Sequence, residues 1–186
     1  MQWRGTALVT GASSGLGEEF ALQLAHRGCD VIAVARRAKR LEALCEKIQR
    51  GANRKATALV ADLSTDKGVE SVLKQLDRSG LVPDYLVNNA GRGHYGAAVD
   101  TPIETNRQMM RLNMDALTTL SLELGRKMVS RRSGAIMNVA SALAYQPAPY
   151  FSVYAATKAY VLSFSEALAA EVSASGVRVF TICPGA

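Results

Sequence analysis

Cysteine is scarce in this 186-residue chain: there are three, beside two histidines and one tryptophan. Cys29, Cys45 and Cys183 are odd in number and share no metal-ligand spacing. That argues against a disulfide framework or a metal site and fits reduced thiols in a cytosolic protein, two of them buried. Long apolar runs are also missing; the longest are strand-sized, too short to span a membrane. The opening MQWRGTALVTG has no apolar leader core and no small-residue cleavage site, so the expected location is cytoplasmic. Linkers, internal repeats and low-complexity tracts are absent, and the length suits one domain with a sizeable core. Acidic residues are in the minority, 16 Asp+Glu against 22 Lys+Arg, for a net charge of +6. The densest basic piece, Arg36-Arg37-Ala38-Lys39-Arg40, could touch nucleic acid by composition alone, but a small anionic ligand accounts for it better.

What the chain does have is alternation. Strand-like runs at residues 6–10, 31–35, 56–61, 85–87, 135–139 and 177–183 are separated by helical stretches at 15–27, 39–50, 67–78, 104–130 and 153–175. The strands lack a polar face, as expected when helices cover both sides. Strand–helix repetition with short connections predicts an α/β fold: a three-layer, doubly wound parallel sheet of the Rossmann type. Thr101-Pro102-Ile103-Glu104 predicts a capping box opening the fourth helix. Gly28 and Gly176 stand where helix ends favour a left-handed residue. The last strand runs straight into Cys183-Pro184-Gly185-Ala186, which reads as an uncovered sheet edge.

The first strand leads into Thr10-Gly11-Ala12-Ser13-Ser14-Gly15-Leu16-Gly17, and a helix follows. Gly11 permits a tight turn, Gly15 lets backbone approach a pyrophosphate, and Gly17 allows close helix–strand packing. The helix start offers free N–H groups and a positive dipole end, to which Ser13 and Ser14 add hydroxyls. The spacing is G-x-x-x-G-x-G rather than G-x-G-x-x-G, so its position inside a βαβ unit carries the reading more than the glycines do. An NAD site places a carboxylate at the end of the second strand for the ribose 2′-hydroxyl. Here Ala35 occupies that place, followed by Arg36 and Arg37, whose guanidinium forks suit a 2′-phosphate. NADP(H) is therefore expected over NAD(H).

Tyr154 and Lys158 are one helical turn apart and project from the same face. Ser141 lies just past the end of a strand, where open α/β sheets gather their ligands. Adding hydride to a carbonyl leaves negative charge on oxygen, which a phenol can protonate. An ammonium beside the phenol favours its ionised form for the reverse reaction, and a serine hydroxyl can hold the substrate oxygen.

In order and spacing these motifs resemble the short-chain dehydrogenase/reductase family, in its single-domain type. The resemblance covers all 186 residues: the glycine turn, Asp62-Leu63 after the third strand, Asn88-Asn89-Ala90-Gly91 after the fourth, Asn113, Ser141, Tyr154-x-x-x-Lys158 and Pro184-Gly185. It implies an NADP(H)-dependent oxidoreductase interconverting a carbonyl and an alcohol. Tyr154 would be acid/base, Ser141 the substrate-oxygen donor, Lys158 also a ribose ligand, and Asn113 the support of a water in the proton relay. Asp62 and Leu63, with Asn89, Ala90 and Gly91, would line the adenosine side; Asp62 and the asparagine pair also serve to hold strand ends together. Asn113 has the alternative of satisfying a helix irregularity. Ser14 stands where NADP-preferring members often carry a basic residue. The chemistry needs no metal and no histidine, so His94 reads as a loop residue.

The apolar, aromatic stretch 143–151 would suit a hydrophobic small-molecule substrate, with Tyr150 lining it and Tyr160 packing between helices. The resemblance also implies a homodimer or homotetramer through the helices at 104–130 and 153–175, without nucleic-acid or membrane partners. Family members continue past Gly185 with a threonine-containing nicotinamide contact, substrate-covering helices and a final strand. None of these is in the sequence, so residues 1–186 read as one NAD(P)-binding domain without them. A cofactor-binding scaffold without turnover is the alternative function; the intact Ser141–Tyr154–Lys158 set speaks against it. Extended epimerases and dehydratases space their glycines differently.

Overall fold

The structure is a computed structural model and describes residues 4–185. Six strands alternate with six α-helices: β1 (Gly5–Thr10), α1 (Gly15–His26), β2 (Cys29–Ala35), α2 (Ala38–Ala52), β3 (Ala56–Val60), α3 (Asp66–Arg78), β4 (Tyr85–Asn88), α4 (Ile103–Met110), α5 (Ala116–Ser130), β5 (Gly134–Val139), α6 (Ser152–Glu171) and β6 (Val177–Ile182). The sheet is wholly parallel in the order β3-β2-β1-β4-β5-β6, the doubly wound arrangement expected from the alternation.

Both faces of the central strands are buried, which explains their near-continuous apolar sequence. On one side Ala7 and Val9 pack with Ala21 and Leu24 of α1 and Leu41, Leu44 and Ile48 of α2. On the other, Leu8, Leu86 and Ile136 meet Val72 and Leu76 of α3 and Leu120, Leu124 and Met128 of α5. Val161 of α6 closes against Leu117 and Ala140. β6 lies at a sheet edge beside β5, with Phe180 exposed on it. Cys29 and Cys45 are buried free thiols, while Cys183 is half-exposed. Among the described residues, no helix is long and apolar enough to cross a membrane.

The fourth helical stretch differs from its expected form. No capping box opens it: α4 starts at Ile103 behind Pro102, and the Thr101 hydroxyl donates back to the Ala97 carbonyl at 3.0 Å. A helix cap does form at α3, where Thr65 accepts from the Gly68 N–H. The stretch is also not one α-helix, since a π-turn at Arg111–Asp115 joins α4 to α5. Such a turn carries one residue more than α-helical periodicity predicts, and it recurs at functional sites. The last helix ends at Glu171, and Ser173–Ser175 form a separate 3₁₀ turn before Gly176 at φ +79°.

Candidate active site

The strand order reverses around β1, which has β2 on one side and β4 on the other, so a crevice opens above their C-terminal ends. Thr10 ends β1 inside that crevice. Its hydroxyl accepts from the Asn89 and Ala90 N–H groups at 3.0 and 2.9 Å and donates to the Val87 carbonyl. The Asn89 amide returns the tie, donating to the carbonyl oxygens of Thr10 and Gly11 at 3.0 and 3.5 Å. Asn89 thus holds the glycine turn to β4 and is not part of the adjoining cleft wall.

Gly17 explains its own identity. A Cβ there would lie 2.4 Å from both the Gly11 oxygen and the Asn89 amide nitrogen. Gly17→Ala should therefore cost about 3 kcal/mol, at the upper end for an overpacked site. Chemical denaturation reads it as a lower midpoint at unchanged slope. Gly15 is the opposite case: its φ is +59°, and a Cβ would meet nothing within 4 Å. Its backbone faces open space at the start of α1, where helix N–H groups favour an anion. Leu16 beside it is exposed.

A cleft of about 160 Å³ begins at this turn. Gly11, Ser13, Ser14, Arg36, Arg37, Asp62, Leu63, Ala90 and Gly91 all line it, joined by Leu112, which the sequence did not single out. The two arginines behave differently. Arg37 reaches across to the glycine turn, donating to the Ser13 and Ser14 hydroxyls at 2.8 and 2.6 Å. Arg36 leans toward Asp62, with 3.9 Å between the charged atoms. Burial works against the charge on Asp62, yet the Ser64 hydroxyl and N–H, helped by Arg36, hold its carboxyl below the ordinary range. Arg37 and the two serines form a polar rim on the cleft that offers donors to an anion, while the Asp62 carboxylate of the same lining is turned to Arg36.

Next to Gly91, which lines this cleft, stand the amine and the phenol. Lys158 is 5% exposed and donates to the Val139 carbonyl at the end of β5, at 2.7 Å. Its nitrogen lies 5.7 Å from the centre of the Tyr154 ring. Burial pulls its pKa down to about 8. Gly91 and Gly93 line the same space: a Cβ on Gly91 would be 3.4 Å from the Lys158 nitrogen and 3.3 Å from Asn113 Oδ1, and one on Gly93 would be 3.4 Å from the Tyr154 ring. Ser141 caps a 3₁₀ turn, Ala142–Tyr145, that the sequence did not disclose; its Oγ accepts the Leu143 N–H at 3.2 Å. With that lone pair engaged, the hydroxyl hydrogen is left to donate elsewhere. The Pro184 carbonyl accepts from Ala142 N–H at 2.9 Å, drawing the end of β6 to the same loop; Gly185 follows with no contact at its Cβ position.

Asn113 sits buried in the π-turn with its side chain fully engaged. Oδ1 accepts the Arg92 N–H, and Nδ2 donates to the Arg92 carbonyl and the Thr157 hydroxyl. Thr157 in turn donates to the Tyr154 carbonyl. Asn113 therefore clamps the loop after β4 onto α6. Two further asparagines, Asn88 and Asn138, bond to each other and to Ser121 and Ser165, tying β4 and β5 to α5 and α6. A polar residue inside an otherwise apolar strand was the signal for Asn138.

Residues 5–186 match the short chain dehydrogenase family. The chain belongs to that family. Its fold superposes on a short-chain dehydrogenase from Sphingobium yanoikuyae in complex with NADPH, with a TM-score of 0.93 at 37% identity over 97% of this chain and 70% of the other. L-sorbose reductase from Gluconobacter frateurii, complexed with NADPH and L-sorbose, gives 0.92 at 33% identity over 99% and 70%. Human 17-beta-hydroxysteroid dehydrogenase type 3 is 32% identical over 189 residues, 98% of this chain. The chain spans 58% of that human protein and 30% of the Mycobacterium tuberculosis probable oxidoreductase EphD, to which it is 37% identical over 179 residues.

Proposed function

We propose that this short-chain dehydrogenase is an NADP(H)-dependent oxidoreductase that interconverts a carbonyl and an alcohol, with Tyr154 as its acid/base. One observation carries the reading: Gly91 lines the cleft that holds Arg37 and the glycine turn, and a Cβ on it would lie 3.4 Å from the Lys158 nitrogen, itself 5.7 Å from the centre of the Tyr154 ring. The residues suit a dinucleotide. Gly15 leaves room at the helix start, and Arg37 offers charged donors beside the Ser13 and Ser14 hydroxyls. When bound, the nicotinamide supplies or accepts the hydride.

The chain's own groups do the rest. The Ser141 hydroxyl hydrogen, left free by the Leu143 N–H, is donated to the substrate oxygen. Tyr154 Oη gives that oxygen a proton in reduction and takes one from the alcohol in oxidation. The Lys158 ammonium, fixed by Val139, stabilises the phenolate and would hold the ribose hydroxyls of the cofactor. Asn113 positions rather than reacts, keeping the Arg92 loop against α6.

Arg37, bonded to Ser13 and Ser14, would hold the 2′-phosphate, and Arg36, beside Asp62, would support the adenosine side. The NADPH in two related structures supports the same preference. Arg37→Ala should raise the dissociation constant for NADPH by ~10- to 100-fold, the range for losing a charged hydrogen-bond pair. NADH should be almost unaffected. Fluorescence titration of both cofactors checks this, and equal weakening of the two would refute the assignment. Pairing of two copies through α5 and α6 is part of this reading. Exposed Leu122 and Tyr160 lie on those helices, with Tyr160 stacked on Phe164 and bonded to Thr118.

A further inference from the structure

Four aromatic rings from two loops and one helix lie in a row beside the reacting end of the crevice. Phe151 packs 6.1 Å from the Tyr154 ring, Tyr95 packs 5.1 Å from Phe151, and Tyr150 packs 5.6 Å from Tyr95, all tilted. Tyr95 and Tyr150 are 65% and 55% exposed, unusual for large rings that already have aromatic neighbours. Tyr150 is also held at φ +64°, a left-handed conformation that a bulky side chain adopts only against its preference. The Gly96 N–H donates to its carbonyl at 2.9 Å and locks the loop after β4 to the loop before α6. Residues 93–99 and 141–157 contain no Asp, Glu, Lys or Arg. The wall therefore carries no carboxylate, amine or guanidinium from its own segments, has His94 beside it, and holds Tyr150 in a left-handed conformation.

We infer that Tyr95, Tyr150 and Phe151 form a pre-built aromatic wall that selects neutral aryl ketones, and the matching benzylic alcohols, as the substrates of this site. The inference rests on the proposed oxidoreductase reading and narrows its substrate class. An aryl group bonded to the carbonyl carbon would pack edge-to-face on the Phe151–Tyr95 pair, as aromatic rings prefer. The carbonyl oxygen would then stand between Ser141 and Tyr154. Hydride from NADPH forms the new C–H bond at the carbonyl carbon, the π pair moves to oxygen, and oxygen takes the Tyr154 proton to give the alcohol and NADP⁺.

The test compares acetophenone with cyclohexyl methyl ketone, which has the same carbon skeleton without the π face, on the full chain with NADPH. Expected is a preference in kcat/KM of about tenfold for the aryl ketone, the scale of one aromatic pairing, expressed mainly in KM. Tyr95→Leu should bring the ratio close to one at unchanged NADPH affinity. Calorimetric titration of 1-phenylethanol and 1-cyclohexylethanol into the NADP⁺-bound protein reads the same preference without turnover. Tighter binding of the aryl alcohol with no turnover of any ketone would uphold the wall and sink the oxidoreductase reading. Turnover of both ketones with equal KM, or a ratio untouched by Tyr95→Leu, would overturn the wall alone.

Discussion

Tyr154→Phe should lower turnover by about 10³-fold, within the range for removing a positioned general acid, while leaving NADPH affinity within twofold. The substitution deletes one oxygen and keeps the ring. That ring is what packs against Phe151, lies under the Lys158 nitrogen and abuts Gly93. The cleft that would hold the adenosine half, with Arg37 and the glycine turn, is built from other elements and is not disturbed. Chemistry and cofactor binding should therefore separate: steady-state rates fall, and fluorescence titration of NADPH does not move. A variant retaining more than a tenth of wild-type turnover would remove Tyr154 from the mechanism. Loss of both properties together would mean that the hydroxyl also supports cofactor binding, and the separation of chemistry from binding would fail.

Lys158→Met should be as damaging to turnover and should make the protein more stable at neutral pH. Burial penalises the charged amine and brings its pKa to about 8 from an ordinary 10.5. Below about pH 8 the amine is protonated whether folded or unfolded, and the burial penalty is fully present. Between about 8 and 10.5 the folded protein holds fewer protons than the unfolded chain, so stability rises with pH and the penalty disappears. Methionine removes the charge at similar volume but leaves the Val139 carbonyl without its donor. The net expectation is a gain of about 2 kcal/mol at pH 7. That advantage should fade as pH climbs through the window. Denaturant unfolding of both proteins at pH 7 and pH 10 checks it; an advantage that grows with pH would contradict the burial of a charged amine. Such an amine, costly to the fold and one turn from a phenol, fits a site where stability is given up for chemistry.

The features that depend on local spacing were legible from the chain. Strand–helix alternation announced the parallel sheet, and the turn from Gly11 to Gly17 announced the open backbone at the start of α1. Tyr154 and Lys158 share a face because of helical periodicity, so their pairing needed no tertiary information. The features that depend on long-range packing were hidden. Nothing local says that Arg37, rather than Arg36, swings back over Ser13 and Ser14. Asn113 could be named as a residue of interest, but its engagement with Arg92 and Thr157 follows from a π-turn that apolar periodicity read as ordinary helix. The left-handed Tyr150 was equally out of reach, because a tyrosine gives no sign of positive φ and the Gly96 bond that holds it spans distant loops. The expected capping box at Thr101 failed because α4 starts one residue later, at Ile103, which puts Pro102 at the cap and leaves the Thr101 hydroxyl bonded to the Ala97 carbonyl.

The most direct measurement follows the hydrogen itself. NADPH deuterated at the transferring position of the nicotinamide ring is incubated with the full chain and acetophenone, and the alcohol is analysed by mass spectrometry. One deuterium on the carbinol carbon of the wild-type product, with about 10³-fold less labelled alcohol formed by Tyr154→Phe in the same time, is the predicted result. Cofactor that binds but passes no label to any ketone, or label transferred equally well by Tyr154→Phe, would contradict it.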